Sequence, residues 1–430
     1  MGIIGTYEGV VQVVGGLLIV GLFLGVSKLS SRTGEIPIGD LVLASGWHYA
    51  VAGLLVGCTF LPFIRQYLVN IGLLSIVVVA GWHGFAIGCG LDLRLWKRIA
   101  WTSLALEMGQ VVAIVVVALL AYELPEGKIV QLPFRSALIL AIVGLCVVSG
   151  RRSGERQDAE LSVGGVDRFL TRMLALALAG YSFSVLRQPH FFIDLSFAGA
   201  ERGIQVGGLL EVALWSLVLG GGIGLIGDLM MRGAESTFLF LILSAILLLG
   251  CGLAAHLGLE PIWVGILAGA WVINSTLRRR DLSVVLGRGH GVVKMVLYFF
   301  SGLLLGCGCI ELGFEYGVFL WTFVLVVFLR PLAKWSSLWF LGGVLGKAML
   351  KKSKVTLAGL LDLDEWALAI AAILMGVQYD ASGVAIFGAV LVGQIVLRLA
   401  ALRLDRAVPS LTLGSGGEKT TPRRTPVAAP

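Results

Sequence analysis

Charged residues are scarce in this sequence. Asp, Glu, Lys and Arg make up 14% of its 430 residues, whereas hydrophobic residues make up 57%. Soluble globular proteins carry about 25% charged residues. Here apolar runs of roughly 20 residues, long enough to cross about 30 Å of hydrocarbon, recur almost from end to end. The shortage of charge therefore excludes a soluble globular protein and predicts an all-α, polytopic membrane protein.

Motifs for catalysis, metals and nucleotides are also lacking. The sequence has no HExxH motif, no nucleophile elbow and no paired Asp motif on a loop, so we do not expect an enzyme. Cys307 and Cys309 form a CxC pair without a second pair or a nearby His, which favours packing over a metal site. The GxGxxG spelling of Gly221–Gly227 follows no strand and lies inside an apolar run, which favours helix packing. We therefore expect no cofactor and no nucleic-acid partner.

The apolar runs predict thirteen membrane spans. The first is uncharged and lacks the basic leading segment of a signal peptide, so it is predicted to be a true span. We expect a transmembrane domain over residues 1–407 and a disordered cytoplasmic tail over 408–430, where Ser, Thr, Gly, Pro and Ala dominate. The predicted spans lie near 9–27, 38–60, 68–91, 101–122, 134–150, 166–186, 204–228, 236–256, 259–276, 291–311, 315–333, 355–377 and 382–404.

Basic residues alternate along the chain in step with these spans. Odd-numbered spans end in basic clusters such as Arg94, Lys97 and Arg98, or Arg278–Arg280, whereas even-numbered spans end with few basic residues. Because cytoplasmic loops carry an excess of Lys and Arg, this predicts an external N-terminus and a cytoplasmic C-terminus. The same asymmetry explains the formal net charge of +7. We expect a multi-pass protein in a plasma membrane such as the bacterial inner membrane.

Three stretches resemble motifs of monovalent cation:proton antiporters. They are GFAIGCGLDLRLWKR at 84–98, LGLEPIWVGILAGAWVIN at 257–274 and VLYFFSGLLLG at 296–306. With their order and spacing, the resemblance covers residues 9–404. It implies inverted repeats, two broken crossing helices in a mobile core domain, and a second domain for homodimerisation. The function it implies is a secondary transporter that exchanges Na⁺ or K⁺ for protons across the lipid bilayer.

The sequence departs from that family at its cation-binding acid. In LTRMLALALAG of the sixth span, Thr171 and Arg172 stand where the resemblance places Asn and Asp. Asp167 is the nearest acid, and a shift of about one helical turn would bring it into that position. An exchanger needs a buried carboxylate that holds either a cation or a proton. The alternative is therefore a non-transporting scaffold, sensor or subunit with the same fold.

The second half of the chain keeps more of the pattern. Arg330 in VFLRPLAK matches a basic family position, and Pro331 is expected to break or kink the helix there. In GLLDLDEWALAIA, Glu365 takes the family's Glu position and Asp364 replaces a Gly. Rise per residue places Arg172, Arg330, Asp364 and Glu365 in the cytoplasmic half of the core. We expect a polar cluster there, either static salt bridges or a shifted cation and proton site.

Other polar residues in the predicted spans are weaker candidates. Glu107 and Glu211 each lie about a turn and a half into a span, where an interfacial position is favoured over a lumen-facing site. His48, His83 and His256 are scattered over separate spans, without metal-binding spacing. They are expected to be helix-contact residues.

Overall fold

The computed structural model describes residues 46–59, 62–94, 108–117, 209–235, 238–345, 361, 363, 365–377 and 380–407. Six helices within these ranges are long and apolar enough to cross a membrane. This confirms the predicted class, a helical, integral, multi-pass membrane protein. The first, fifth and sixth predicted spans, the weaker candidate Glu107 and the tail over 408–430 lie outside the described residues.

Eleven helices are described, numbered here in chain order. Several are shorter than the roughly 20 residues that a membrane-crossing helix needs, among them the 15-residue α6 and the 13-residue α10. The helices are α1 Trp47–Thr59, α2 Pro62–Gly88, α3 Met108–Val117, α4 Leu209–Arg232, α5 Leu239–His256, α6 Pro261–Ser275, α7 Arg279–Glu311, α8 Tyr316–Val324, α9 Arg330–Leu345, α10 Glu365–Val377 and α11 Ala381–Ala407.

Helix α7 extends further than the apolar pattern indicates. The predicted tenth span begins near residue 291, after a basic loop, but the helix starts at Arg279 and runs for 33 residues. Hydropathy alone missed its first three turns because they carry polar residues such as Arg280 and Asp281. The extension brings His290 and Lys294 onto a continuous helix that packs against α1 and α2.

Glycines allow α2 and α6 to pack with their backbones in contact. A Cβ added at Gly84 or Gly88 of α2 would lie 2.3 Å from Ile262 O or 2.0 Å from Ile266 O of α6. A Cβ at Gly269 of α6 would lie 2.1 Å from Phe85 O. Small residues four positions apart on facing helices are a typical membrane helix interface. Two of the three antiporter-like stretches thus pack against each other.

The third stretch packs in the same way against α1. A Cβ at Gly302 of α7 would lie 1.9 Å from Ala50 O, and one at Gly53 of α1 would lie 1.9 Å from Phe299 O. The glycine-rich run in α4 also serves packing, since a Cβ at Gly224 would lie 2.9 Å from Ala268 O of α6. Six glycines of the three stretches are therefore helix-contact positions: Gly84, Gly88, Gly265, Gly269, Gly302 and Gly306.

A π-helical turn over Leu325–Leu329 joins α8 to α9. The backbone N–H of Arg330 donates to Leu325 O, five residues back, so the chain is widened just before Pro331. Proline lacks the N–H that an α-helix would require, and the wider turn accommodates it without ending the helix. Of the expected break or kink at Pro331, the break does not occur, and a local π-turn accommodates the proline.

Helix α10 lies at the centre of this framework. It packs against α2, α7 and α11, and each residue from Ala367 to Ala372 is at most 1% exposed. The preceding Leu363 is 2% exposed but not helical, whereas Leu361 before it is helical. Non-helical backbone at membrane depth is tolerated where protein buries it or where it lines a polar cavity. The interruption thus places the first residue of α10, Glu365, inside the protein.

Candidate functional site around Glu365

Glu365 begins α10 at the point where the helix is interrupted. Its side chain is only 4% exposed. The first turn of a helix favours a carboxylate because its backbone N–H groups and the helix dipole present positive charge. Burial of an ion still costs several kcal/mol, so further compensation is required. The compensation comes from two other helices.

Basic side chains of α7 and α11 surround the carboxylate. Arg398 Nη1 of α11 donates to Glu365 Oε1 at 2.8 Å. Lys294 Nζ of α7 lies 3.7 Å from the same oxygen, and His290 Nε2, one turn earlier on α7, lies 3.6 Å from Oε2. The two carboxylate oxygens therefore face different neighbours: Oε1 faces the guanidinium and the ammonium group, and Oε2 faces the imidazole.

A second histidine extends this group towards α2. The ring of His83 stands edge-on to the ring of His290, with centroids 6.3 Å apart, and His83 is 5% exposed. Lys294 also lies over the ring of Tyr298, with Nζ 5.9 Å from its centroid. A cation within about 6 Å of an aromatic centroid is attracted to the ring face. Three helices thus contribute polar groups around the start of α10.

The interrupted segment before Glu365 is held by polar contacts to its backbone. Arg330 is 1% exposed and its Nη1 donates to Leu361 O at 3.3 Å. Gln394 of α11 is fully buried and its Nε2 donates to Leu363 O at 3.5 Å. Lys334, one turn after Arg330, is also 1% exposed. Side chains therefore replace part of the hydrogen bonding that the helix loses at the break.

The polar residues of the antiporter-like stretches form a separate junction where α2 and α6 end. Asn274 Nδ2 donates to Leu91 O at 2.8 Å, and Asn274 Oδ1 accepts from the backbone N–H of Leu93 at 3.1 Å. Asp92 Oδ2 pairs with Arg279 Nη1 at 2.9 Å. These contacts cap the end of α2 and fix it to the start of α7. They indicate a structural role for Asp92 and Asn274.

The predicted polar cluster is only partly within the described residues. Arg172, Asp167 and Asp364 lie outside them, and Glu211 lies in the first turn of α4 with no described side chain. Arg330 and Glu365 are both buried, Arg330 against Leu361 and Glu365 against Arg398, Lys294 and His290. The four-residue cluster as a whole stays a prediction.

Sequence reasoning did not select His290, Lys294, Gln394 or Arg398 as site residues. One signal was present: each of these polar side chains lies within or at the edge of an apolar run, where such residues are functional candidates. The spacing was a second signal, because His290 and Lys294, like Gln394 and Arg398, are four residues apart and share a helix face. His83 was assigned a helix-contact role, and its proximity to His290 depends on the packing of α2 against α7.

Comparisons with known proteins give one kind of match. No family model and no curated protein matches the sequence. Among solved structures, the chain is similar to a sodium/proton antiporter from Methanocaldococcus jannaschii, with 14% sequence identity and a TM-score of 0.47. That match covers 93% of this chain and 97% of the antiporter chain.

Proposed function

We propose that the protein is a secondary transporter that exchanges a monovalent cation, Na⁺ or K⁺, for protons, with Glu365 as its carrier acid. One observation carries this proposal: a carboxylate is buried at the interrupted start of a short helix in a membrane protein, next to basic groups of two other helices. Ionisable residues inside a membrane bundle mark ion and proton pathways. Interrupted helices line such pathways in many transporters.

Under this proposal, Glu365 supplies the competition between cation and proton that exchange requires. A carboxylate holds either a proton or a metal cation, and binding of one displaces the other. In the unloaded state Arg398 and Lys294 compensate the charge of Oε1, so the empty carrier remains tolerable inside the membrane. Oε2, on the side of His290, is the oxygen on which a proton or cation is expected to bind.

The sequence resemblance adds the larger setting of this proposal. Exchange by this family implies inverted repeats, a mobile core and a homodimer. In that setting the carrier faces the two sides of the membrane in turn, with the N-terminus outside and the C-terminus cytoplasmic. The glycine-packed pairs α1/α7 and α2/α6 are suited to move as rigid units, because their backbones touch directly.

The first experiment tests exchange itself. Purified protein is reconstituted into vesicles that contain a pH-sensitive dye, a pH gradient is imposed, and Na⁺, K⁺ or Li⁺ is added between about pH 6 and 9. Cation-dependent dissipation of the gradient is expected for the wild type. Glu365→Gln should abolish it, because an amide neither titrates nor replaces the negative charge.

A matched control separates loss of transport from loss of structure. Asp228 of α4 is also a buried acid, 1% exposed and paired with Arg232 at 2.7 Å. It lies on α4, which is not one of the helices that surround Glu365. Asp228→Asn is therefore expected to retain exchange. Wild-type protein without any cation response contradicts the proposal, and equal activity in Glu365→Gln removes Glu365 from the mechanism.

A second candidate function is a non-transporting scaffold, sensor or subunit. The observation in its favour is the 2.8 Å contact of Arg398 with Glu365, which links α11 to α10 as a static clamp would. Under this alternative the wild type gives no cation response. Glu365→Gln would then lower only the thermal stability.

A further inference from the structure

Among the residues that the structure describes, Glu365 has one neighbour that is both titratable and substantially exposed. The side chain of His290 is 41% exposed, whereas those of Arg398, Lys294 and Glu365 are 24%, 15% and 4% exposed. A polar side chain at membrane depth faces the bundle interior or a water-filled cavity rather than hydrocarbon. The exposed side of His290 is therefore expected to meet water, while its Nε2 side meets the buried carboxylate.

The distance between the two groups suits proton transfer. Nε2 of His290 lies 3.6 Å from Glu365 Oε2, slightly beyond the range of a direct hydrogen bond. Transfer needs either a small side-chain movement or one bridging water, both common in sites captured without their substrate. Arg398 does not serve in this way, because a guanidinium does not deprotonate in proteins. Lys294 is less suited than His290, because its side chain is only 15% exposed.

We infer that His290 is the proton-access residue of Glu365, passing protons between water and the buried carboxylate. The inference rests on the proposed exchange function only in assigning these protons to transport; the proton transfer itself can be tested without it. When Glu365 takes up a proton, a proton from water first binds Nδ1 of His290. The Nε2–H bond of His290 then breaks, and that proton forms an O–H bond with Glu365 Oε2. The imidazole is then neutral with its proton on Nδ1, and it returns to the tautomer with the proton on Nε2. No oxidation or reduction takes place.

Within the described part of the chain, the charged and titratable neighbours of this pair come from α2, α7, α10 and α11. They are Glu365 of α10, Arg398 of α11, Lys294 of α7 and His83 of α2. His83 is the buried neighbour, 5% exposed, so it offers less access to water than His290. We expect His83→Gln to have a smaller effect than His290→Gln.

The decisive test follows protonation of Glu365 directly. After a rapid drop in pH, the infrared C=O band of the protonated carboxyl is recorded in reconstituted protein, with Glu365→Gln to assign the band. His290→Gln is expected to slow its appearance about 100-fold, the usual range for loss of a positioned proton-transfer group. Added imidazole should partly rescue His290→Ala, because the site is open on that side. Unchanged kinetics in His290→Gln, with correct folding, overturns the inference.

Transport measurements distinguish this inference from the proposed function. If the wild type exchanges cations, His290→Gln should slow exchange and flatten its pH profile, whereas the matched variant His256→Gln on α5 should behave as wild type. If the wild type shows no exchange, the proposed function fails, yet the infrared kinetics still decide the role of His290. Loss of signal through misfolding is checked by gel filtration and by the rescue with imidazole.

Discussion

At the scale of residues, the main feature is how the buried negative charge of Glu365 is compensated by its neighbours. Glu365 combines the start of a helix, a guanidinium, an ammonium and an imidazole within 3.7 Å. Each partner has a distinct property: Arg398 is permanently charged and makes the shortest contact, Lys294 is shared with the ring of Tyr298, and His290 can change its protonation state. The site therefore contains both a fixed charge balance and a titratable one.

Removing the shortest contact should test the fixed part of that balance. Arg398→Gln leaves the buried carboxylate without its guanidinium, and we expect it to lower the free energy of unfolding by roughly 2 kcal/mol. Thermal unfolding in detergent would measure the change. The double variant with Glu365→Gln should lose less than the sum of the single variants, because the pair is coupled. Arg403→Gln, at an exposed position on α11, is the matched control.

At the scale of elements, glycine decides which helices lie close enough to touch. The contact of α2 with α6 and that of α1 with α7 both depend on glycines whose Cβ would overlap a facing carbonyl. The first contact holds α2, which carries His83, and the second holds α7, which carries His290 and Lys294. The geometry around Glu365 therefore depends on the helix packing at these glycines.

A single added methyl group should disrupt the α2–α6 contact. Gly269→Ala places a Cβ 2.1 Å from Phe85 O, so the helices must separate, at a cost of roughly 1–3 kcal/mol. Gly252→Ala on α5 is the matched control, since nothing lies within 4 Å of its Cβ. Thermal unfolding midpoints of the two variants should differ clearly. Equal midpoints would show that the contact is looser than the structure indicates.

The whole molecule has a predicted orientation that follows from its basic loops. Leu277, between α6 and α7, is 98% exposed, and Tyr316, at the start of α8, is 78% exposed. The positive-inside rule places Leu277 in the cytoplasm and Tyr316 outside. In a background without the native cysteines, a membrane-impermeant maleimide should label Tyr316→Cys in intact cells and Leu277→Cys only after lysis. Labelling of Leu277→Cys in intact cells would reverse the topology.

The sequence alone determined the class of protein and many of the helices. Apolar runs and scarce charge are local properties, and the limits of α5, α6 and α11 follow them within a few residues. The first part of α7 was missed because an amphipathic, basic helix has no continuous apolar run. The π-turn before Pro331 was missed too, since sequence signals a proline but not how the backbone accommodates it.

Only the tertiary structure decided the surroundings of Glu365. The sequence selected this acid because it lies in a predicted span and, in GLLDLDEWALAIA, takes a Glu position of the family that the sequence resembles. Its partners, however, come from α7 and α11, and their proximity depends on how glycine-rich faces bring distant helices together. Hydropathy and spacing describe one helix at a time, whereas an ion pair forms between helices. The hydropathy of each segment therefore determined which parts of the chain form membrane helices, and packing between the helices determined which charged residues meet in the interior.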